Sequence, residues 1–206
     1  MNDRNNLHES WRSRQRSFAA LLSVLVLIAA TACTSSLYKV KPPAALERMP
    51  PTAATADVGS VTFRAAPLLT DEETQELFEA NLQLAGLLPV RLGVTHNGGE
   101  PLLLKKLKFK LHDGSGNEWK LVSGKQAVSR ILKANAVFAY NPNSRKTFEK
   151  EFRAYDFDLK SPLTHSERQR QGLIIFLSPQ KEPVASPHGM TLSIEGLAQP
   201  VALKLN

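Results

Sequence analysis

The sequence predicts a mainly β domain, short strands packed as a sandwich, with a helical segment inserted before the last strands. Three observations carry this reading. Apolar residues alternate at a period of two through 88–94 and again through 103–111, the pattern of strands with one buried face. The run Gln171-Gly172-Leu173-Ile174-Ile175-Phe176-Leu177 is apolar at both parities, as in a strand covered on both sides. Between these stretches, residues 123 to 156 change to a helical period. Seven or so short strands at this spacing favour a sandwich. The alternative is an α+β domain whose helices cover one face of the sheet.

Taken in order, the chain opens on a basic stretch with Arg12, Arg14 and Arg16, followed by an apolar run from Phe18 to Ala32 and then by Cys33, the only cysteine of the 206 residues. Basic, then apolar, then small is the order of a secretory signal. The tetrad Ala30-Thr31-Ala32-Cys33 resembles a bacterial lipobox. That resemblance implies a signal peptide over 1–32 and a Cys33 that carries lipid, palmitate among the acyl chains, as the first residue of the mature protein. Two other readings stay open. Ala30-Thr31-Ala32 also fits ordinary signal peptidase, which would leave Cys33 a free thiol. An uncleaved anchor would have only about 15 apolar residues where roughly 20 are needed. Arg12-Ser13-Arg14 lacks an adjacent arginine pair, so nothing supports twin-arginine export. Thr34 stands where, in lipoproteins of two-membrane bacteria, an aspartate commonly retains the protein at the inner membrane. The resemblance therefore implies the outer membrane, facing the periplasm.

Residues 33–57 read as the lipidated cysteine and a Pro/Ala-rich tether, with Pro42-Pro43 and Pro50-Pro51 favouring extended chain. The folded domain is expected over 58–206, opening on a strand at Val61-Thr62-Phe63-Arg64. Thr70 and Glu73 have the form of a capping box, so a short helix should run to about Ala80 with Leu77 and Phe78 inward. Leu88, Val90, Leu92 and Val94 should share one face of the next strand, with Pro89 near its start or at an edge. After the turn at Asn97–Pro101, a strand from Leu102 to His112 should turn Leu103, Leu107, Phe109 and Leu111 inward and Lys106, Lys108 and Lys110 outward. Asp113–Asn117 is a hairpin turn into a partner strand at Glu118–Val122. Ser123 and Gln126 form a second capping box, and Val128, Ile131, Leu132, Asn135 and Phe138 fall on one helical stripe that Pro142 should end. A further helix from Ser144 should carry Phe148, Phe152 and Tyr155. The helical insertion spans about 123–156. Leu192 and Ile194 with Val201, Leu203 and Leu205 suit a closing hairpin around Gly196–Pro200.

The stretch from Leu87 to Asn97, the stretch from Leu107 to Gly116 and the later Gly172 to Phe176 resemble the core strands of immunoglobulin-like domains in bacterial lipoproteins of unknown function. The shared features are a strand ending in Asn, a return strand ending in Asp-x-x-Gly and a late central strand. About half of the mature chain is covered. The resemblance implies an immunoglobulin-like β-sandwich, from whose simplest form the helical insertion departs.

For function, the inventory excludes more than it assigns. His96, His112, His165 and His188 are scattered, no HExxH or G-x-S-x-G pattern occurs, and Ser129 precedes Lys133 by four, not the three of a Ser-x-x-Lys motif, so neither a catalytic set nor a metal site has a recognisable spacing. Asp156 and Asp158 are two residues apart and read more simply as solvated acids than as a catalytic pair. No cofactor is implied. The whole chain carries a formal charge of +7, and +5 without residues 1–32, which favours anionic surfaces. Nucleic acid fits the sign but not the compartment. The positive hint is a row of lysines, Lys105, Lys106, Lys108 and Lys110, a candidate surface for anionic lipid, lipopolysaccharide or wall glycan; a solvated sheet face gives the same pattern. The run from Thr164 to Gln171, with Arg168 and Arg170, reads either as a partner-binding loop or as a plain connection. The aromatic set Phe138, Tyr140, Phe148, Phe152 and Tyr155 reads as packing or as a groove lining. The expected role is a non-catalytic envelope lipoprotein, held to the membrane by its lipid and acting as an interaction or scaffolding module for an envelope protein partner.

Overall fold

The period-two segments become strands, and the strands form one series. The computed structural model describes residues 36–46, 49–184 and 186–206, and it is mainly β. The strands are β1 (Ala54–Val58), β2 (Val61–Pro67), β3 (Leu87–His96), β4 (Lys108–His112), β5 (Glu118–Val122), β6 (Gln169–Leu177), β7 (Thr191–Glu195) and β8 (Val201–Lys204). They are hydrogen-bonded in the order β1-β2-β3-β6-β5-β4-β7-β8, each neighbouring pair antiparallel. The two ends of that order, β1 and β8, lie against each other, so the sheet is nearly closed. Its narrowest join is the β4–β5 hairpin, where only Leu111↔Trp119 and His112↔Glu118 are paired.

Alternation along the strands divides the apolar residues between two cores. Leu88, Val90, Leu92 and Val94 of β3 point into the interior, as their spacing predicts, with Phe63 of β2, Phe109 and Leu111 of β4, and Leu192 and Ile194 of β7. On β6, Ile174 and Phe176 join that interior, while Leu173, Ile175 and Leu177 face outward into a second core. The both-parity run is therefore a strand buried on both sides. Three α-helices among the described residues supply the outer cover: α1 (Asp71–Phe78), α2 (Gly124–Ala134) and α3 (Pro142–Arg153). Leu77, Phe78, Val128, Ile131, Leu132, Phe148 and Phe152 are among the residues they bury. Helices covering one face of the sheet are what the α+β alternative anticipated, and α2 and α3 stand between β5 and β6 as the expected insertion.

Both capping boxes form. The Thr70 hydroxyl accepts from Glu73 N while the Glu73 carboxylate accepts from Thr70 N; Ser123 and Gln126 repeat the exchange at α2. The helix ends differ from expectation. α2 stops at Ala134, eight residues before Pro142, because Ala136 adopts φ 55°. Val137 N then donates to Leu132 O and Ala136 N to Lys133 O, which closes the helix as a Schellman motif. Phe138 lies beyond that stop and off the expected stripe, 78% exposed. Pro142 does not end α2; it opens α3 behind its cap Asn141, where a proline lacking N–H costs nothing.

Two further expectations are corrected. The stretch from Leu102 to His112 is not one strand. Leu104–Lys106 is a 3-10 turn, and only Lys108–His112 pairs as β4. Leu103, expected inward, is exposed, and Leu104 is buried in its place. The expected tether is, over its described residues, docked on the domain, and the strands begin at Ala54, four residues ahead of the expected domain start. Residues 36–46 cross the helical face as a strap. Tyr38 packs on Phe148 with ring centroids 5.0 Å apart, Lys41 N donates to Leu77 O at 2.9 Å, and Tyr155 Oη donates to the carbonyls of Lys41 and Pro42 at 2.8 and 3.0 Å. Pro42 has no N–H to satisfy, so an extended strap bonded through its carbonyls suits it. Arg64 Nη2 holds Pro50 O at 3.1 Å, and the chain then enters β1.

Candidate functional site

The lysine row is broken by the 3-10 turn. Lys105 and Lys106 sit in that turn, exposed, and Lys108 is exposed on β4. Lys110 is engaged: its Nζ lies 2.7 Å from Glu195 Oε1 on β7. The hydrogen bond that Lys110 donates to Glu195 raises the Lys110 pKa and holds the Glu195 carboxyl below the usual range. Among the described residues Lys105, Lys106 and Lys108 enter no ion pair, though the Lys108 charge acts on Glu195; Lys110 is half of an exposed ion pair.

A cleft of about 690 Å³ opens where β5 leaves the sheet. The β5–β6 pairing ends at Val122↔Ile175. Beyond it the edge of β6 is taken by the chain following α3: Leu173 N donates to Tyr155 O at 2.7 Å and Phe157 N to Leu173 O at 2.8 Å. Gly172 permits this close passage, since a Cβ there would stand 2.7 Å from Phe157 Cα. The crossing brings Asp156 against the first turn of α2, where a Cβ on Gly124 would meet both its carboxylate oxygens at 2.9 and 3.0 Å. Arg153 Nε is 3.6 Å away. Burial pushes the Asp156 carboxyl above its ordinary value, and Arg153 draws it only partly back. A carboxylate between an arginine and the positive end of a helix joins the close of α3 to the start of α2.

Asp158 lines the same cleft but does not pair with Asp156. Its Oδ1 accepts from Lys160 N and Ser161 N, and hydrogen bonding, from the Ser161 side chain first and then from these backbone groups, holds it below the ordinary range. The other polar groups singled out in the sequence are likewise held within the fold. Burial pushes Asp113 up, but hydrogen bonds from Asn117, Trp119 and Ser115 outweigh it and leave the carboxyl low. That carboxylate organises the turn Asp113–Asn117, as a hairpin reading requires. Arg170, with a side chain only 9% exposed, forks onto both oxygens of Glu167 at 2.9 and 2.8 Å and donates to the carbonyls of Asp158 and Ser161. It ties down the connection before β6. His96 is buried at the mouth of the sheet, its Nε2 2.6 Å from Glu100 O and its Nδ1 3.4 Å from Ser60 Oγ.

Cys33 and residues 1–32 lie outside the described residues. Among the described residues no group of three or more His, Cys, Asp or Glu side chains is placed to hold a metal ion, and no helix is long and apolar enough to cross a membrane. Sequence reasoning missed the strap, the burial of Asp156 and the exposure of Phe138. A signal for the second existed in Gly124, directly after a capping serine, and in Gly172, inside a run otherwise built for burial. Comparison with protein-family models, with curated proteins and with solved structures finds no match.

Proposed function

We propose that this chain is a non-catalytic envelope lipoprotein, lipidated at Cys33, that acts as a protein-interaction or scaffolding module on the periplasmic face of the outer membrane. The observation that carries the proposal is the leader: basic residues, a short apolar run and a tetrad ending in the chain's only cysteine. The use of the polar groups supports the non-catalytic part. Asp113, Asp158, Arg170 and His96 each hold a turn or loop, and Asp156 joins two helices. In the same reading, β1-β2-β3-β6-β5 and β4-β7-β8 are facing layers of an immunoglobulin-like sandwich with a helical insertion; the two-pair join between β5 and β4 supports it.

A second reading is favoured by the exposure of Lys105, Lys106 and Lys108: binding of anionic lipid, lipopolysaccharide or wall glycan through these ammonium groups. The experiment for lipidation is Cys33→Ala. The parent should partition into the detergent phase and the variant should be soluble or unprocessed; unchanged partition sinks the lipoprotein reading. Charge reversal at Lys105, Lys106 and Lys108 separates the two roles. Loss of salt-sensitive binding to anionic vesicles selects the second. Retained crosslinking to an envelope protein, with no vesicle binding by that surface, selects the first.

A further inference from the structure

The first described residue and the tip of the helical pair lie at the same end of the outer layer. The strap runs along α3 in the same sense as the helix. The carbonyls of Lys41 and Pro42 meet Tyr155, just past the end of α3, while Tyr38 meets Phe148 in its middle. The same course carries Ser36 toward the first turn of α3 and the α2–α3 connection. Val137 and Tyr140 of that connection pack on the same cluster as Leu37 and Tyr38.

That connection presents Phe138, at 78% the most exposed large apolar side chain among the described residues; the next, Leu84, is at 42%. The chain on either side of it carries charge of one sign. Residues 119 to 148 hold Lys120, Lys125, Arg130, Lys133, Arg145 and Lys146 and no acid. Lys133 in the last turn of α2 and Lys146 near the start of α3 are exposed and enter no ion pair among the described residues. Cys33 stands three residues before Ser36, a span of at most about 11 Å of extended chain. A lipid on Cys33 would therefore hold this end of the domain against the bilayer.

We infer that the α2–α3 tip is the face the domain lays on the phospholipid surface holding its anchor, with Phe138 entering the acyl boundary and Lys133 and Lys146 meeting lipid phosphates. The inference rests on lipidation at Cys33, and it uses a surface separate from Lys105–Lys110. One phenylalanine and two lysines bind a membrane weakly alone. Next to an inserted lipid they act at a high local concentration, so a weak contact is enough to fix orientation.

The test uses the mature lipidated protein in phosphatidylethanolamine–phosphatidylglycerol vesicles with brominated acyl chains. Phe138→Trp places a fluorophore at the tip, Leu103→Trp places one at the exposed turn ahead of β4, and Trp119, buried in the interior, is a constant background. Tryptophan at 138 should be quenched at least about twofold more than at 103. Adding Lys133→Glu and Lys146→Glu should bring the quenching at 138 down to the level at 103 while the protein still floats with the vesicles. Flotation without quenching at 138 overturns the inference and leaves lipidation standing. A parent protein that does not float with vesicles overturns the lipidation reading, and the inference with it.

Discussion

Gly172 and Asp156 mark the two sides of one crossing. Gly172 sits opposite Leu92 on β3, and its other edge is crossed by Tyr155 to Phe157. The atoms a methyl would meet are backbone, Phe157 Cα at 2.7 Å and Phe157 N at 2.8 Å, which cannot rotate away as a side chain can. Gly172→Ala should therefore cost about 1–3 kcal/mol, toward the upper end. Denaturant unfolding checks it; an unchanged midpoint would mean that the crossing is not held at this distance. Asp156 makes the complementary prediction. Folding raises its pKa, so the folded chain binds that proton more tightly. The group favours folding fully below its ordinary value of 3.8, and the advantage is lost as pH rises through the raised folded value. At neutral pH the ionised carboxylate is a net cost, small because part of it reaches solvent. Asp156→Asn should stabilise the protein modestly at neutral pH, and the difference should close in acid. A destabilised variant at neutral pH would show instead that the contacts to Arg153 and the start of α2 outweigh burial.

At the scale of elements, legibility followed the range of the forces involved. The capping boxes at Thr70 and Ser123 were readable because cap and partner are three residues apart. The faces of β3 and β6 were readable because parity alone sorts burial. Leu102-Leu103-Leu104 defeated parity: three leucines in a row fit either register, and the chain spends them in a turn that buries Leu104. The end of α2 was hidden for another reason. The left-handed residue that closes it is Ala136, where glycine is the usual mark, so the stop carries no sequence signature and Phe138 looked like a continuation of the stripe. Alanine at φ 55° bears the steric cost that glycine avoids. Ala136→Gly should raise stability by about 0.5–1 kcal/mol, the relief of that cost less the added entropy of the unfolded chain. A midpoint that falls would show that the Ala136 methyl has packing worth more than its strain.

For the whole molecule, closure of the sheet and the strap are one matter, because both depend on residues ahead of Val58. Composition places them in a tether: prolines and alanines dominate, and Leu37, Tyr38, Val40 and Leu46 are too few to form a core alone. Their partners are supplied from elsewhere, by Phe148, Leu77 and Tyr155, which local pattern cannot reveal. Five residue pairs join β1 to β2, and β1 also lies against β8. Without β1, the seven-residue strand β2, with Phe63 and Ala65 buried on it, would become an open edge facing β8 across a gap. A truncation beginning at Val58 should therefore lose the closing strand and the cover over Phe148 together. It should self-associate on size exclusion and unfold at a lower temperature, whereas one beginning at Ser36 should remain monomeric with a single cooperative transition. If the chain begun at Val58 were monomeric and within about 1 kcal/mol of the longer one, the strap would contribute nothing beyond an ordinary surface contact. Residues 36–57 would then act as the spacer their composition suggests, and the proposed contact between the α2–α3 tip and a bilayer would lose the fixed strap it depends on.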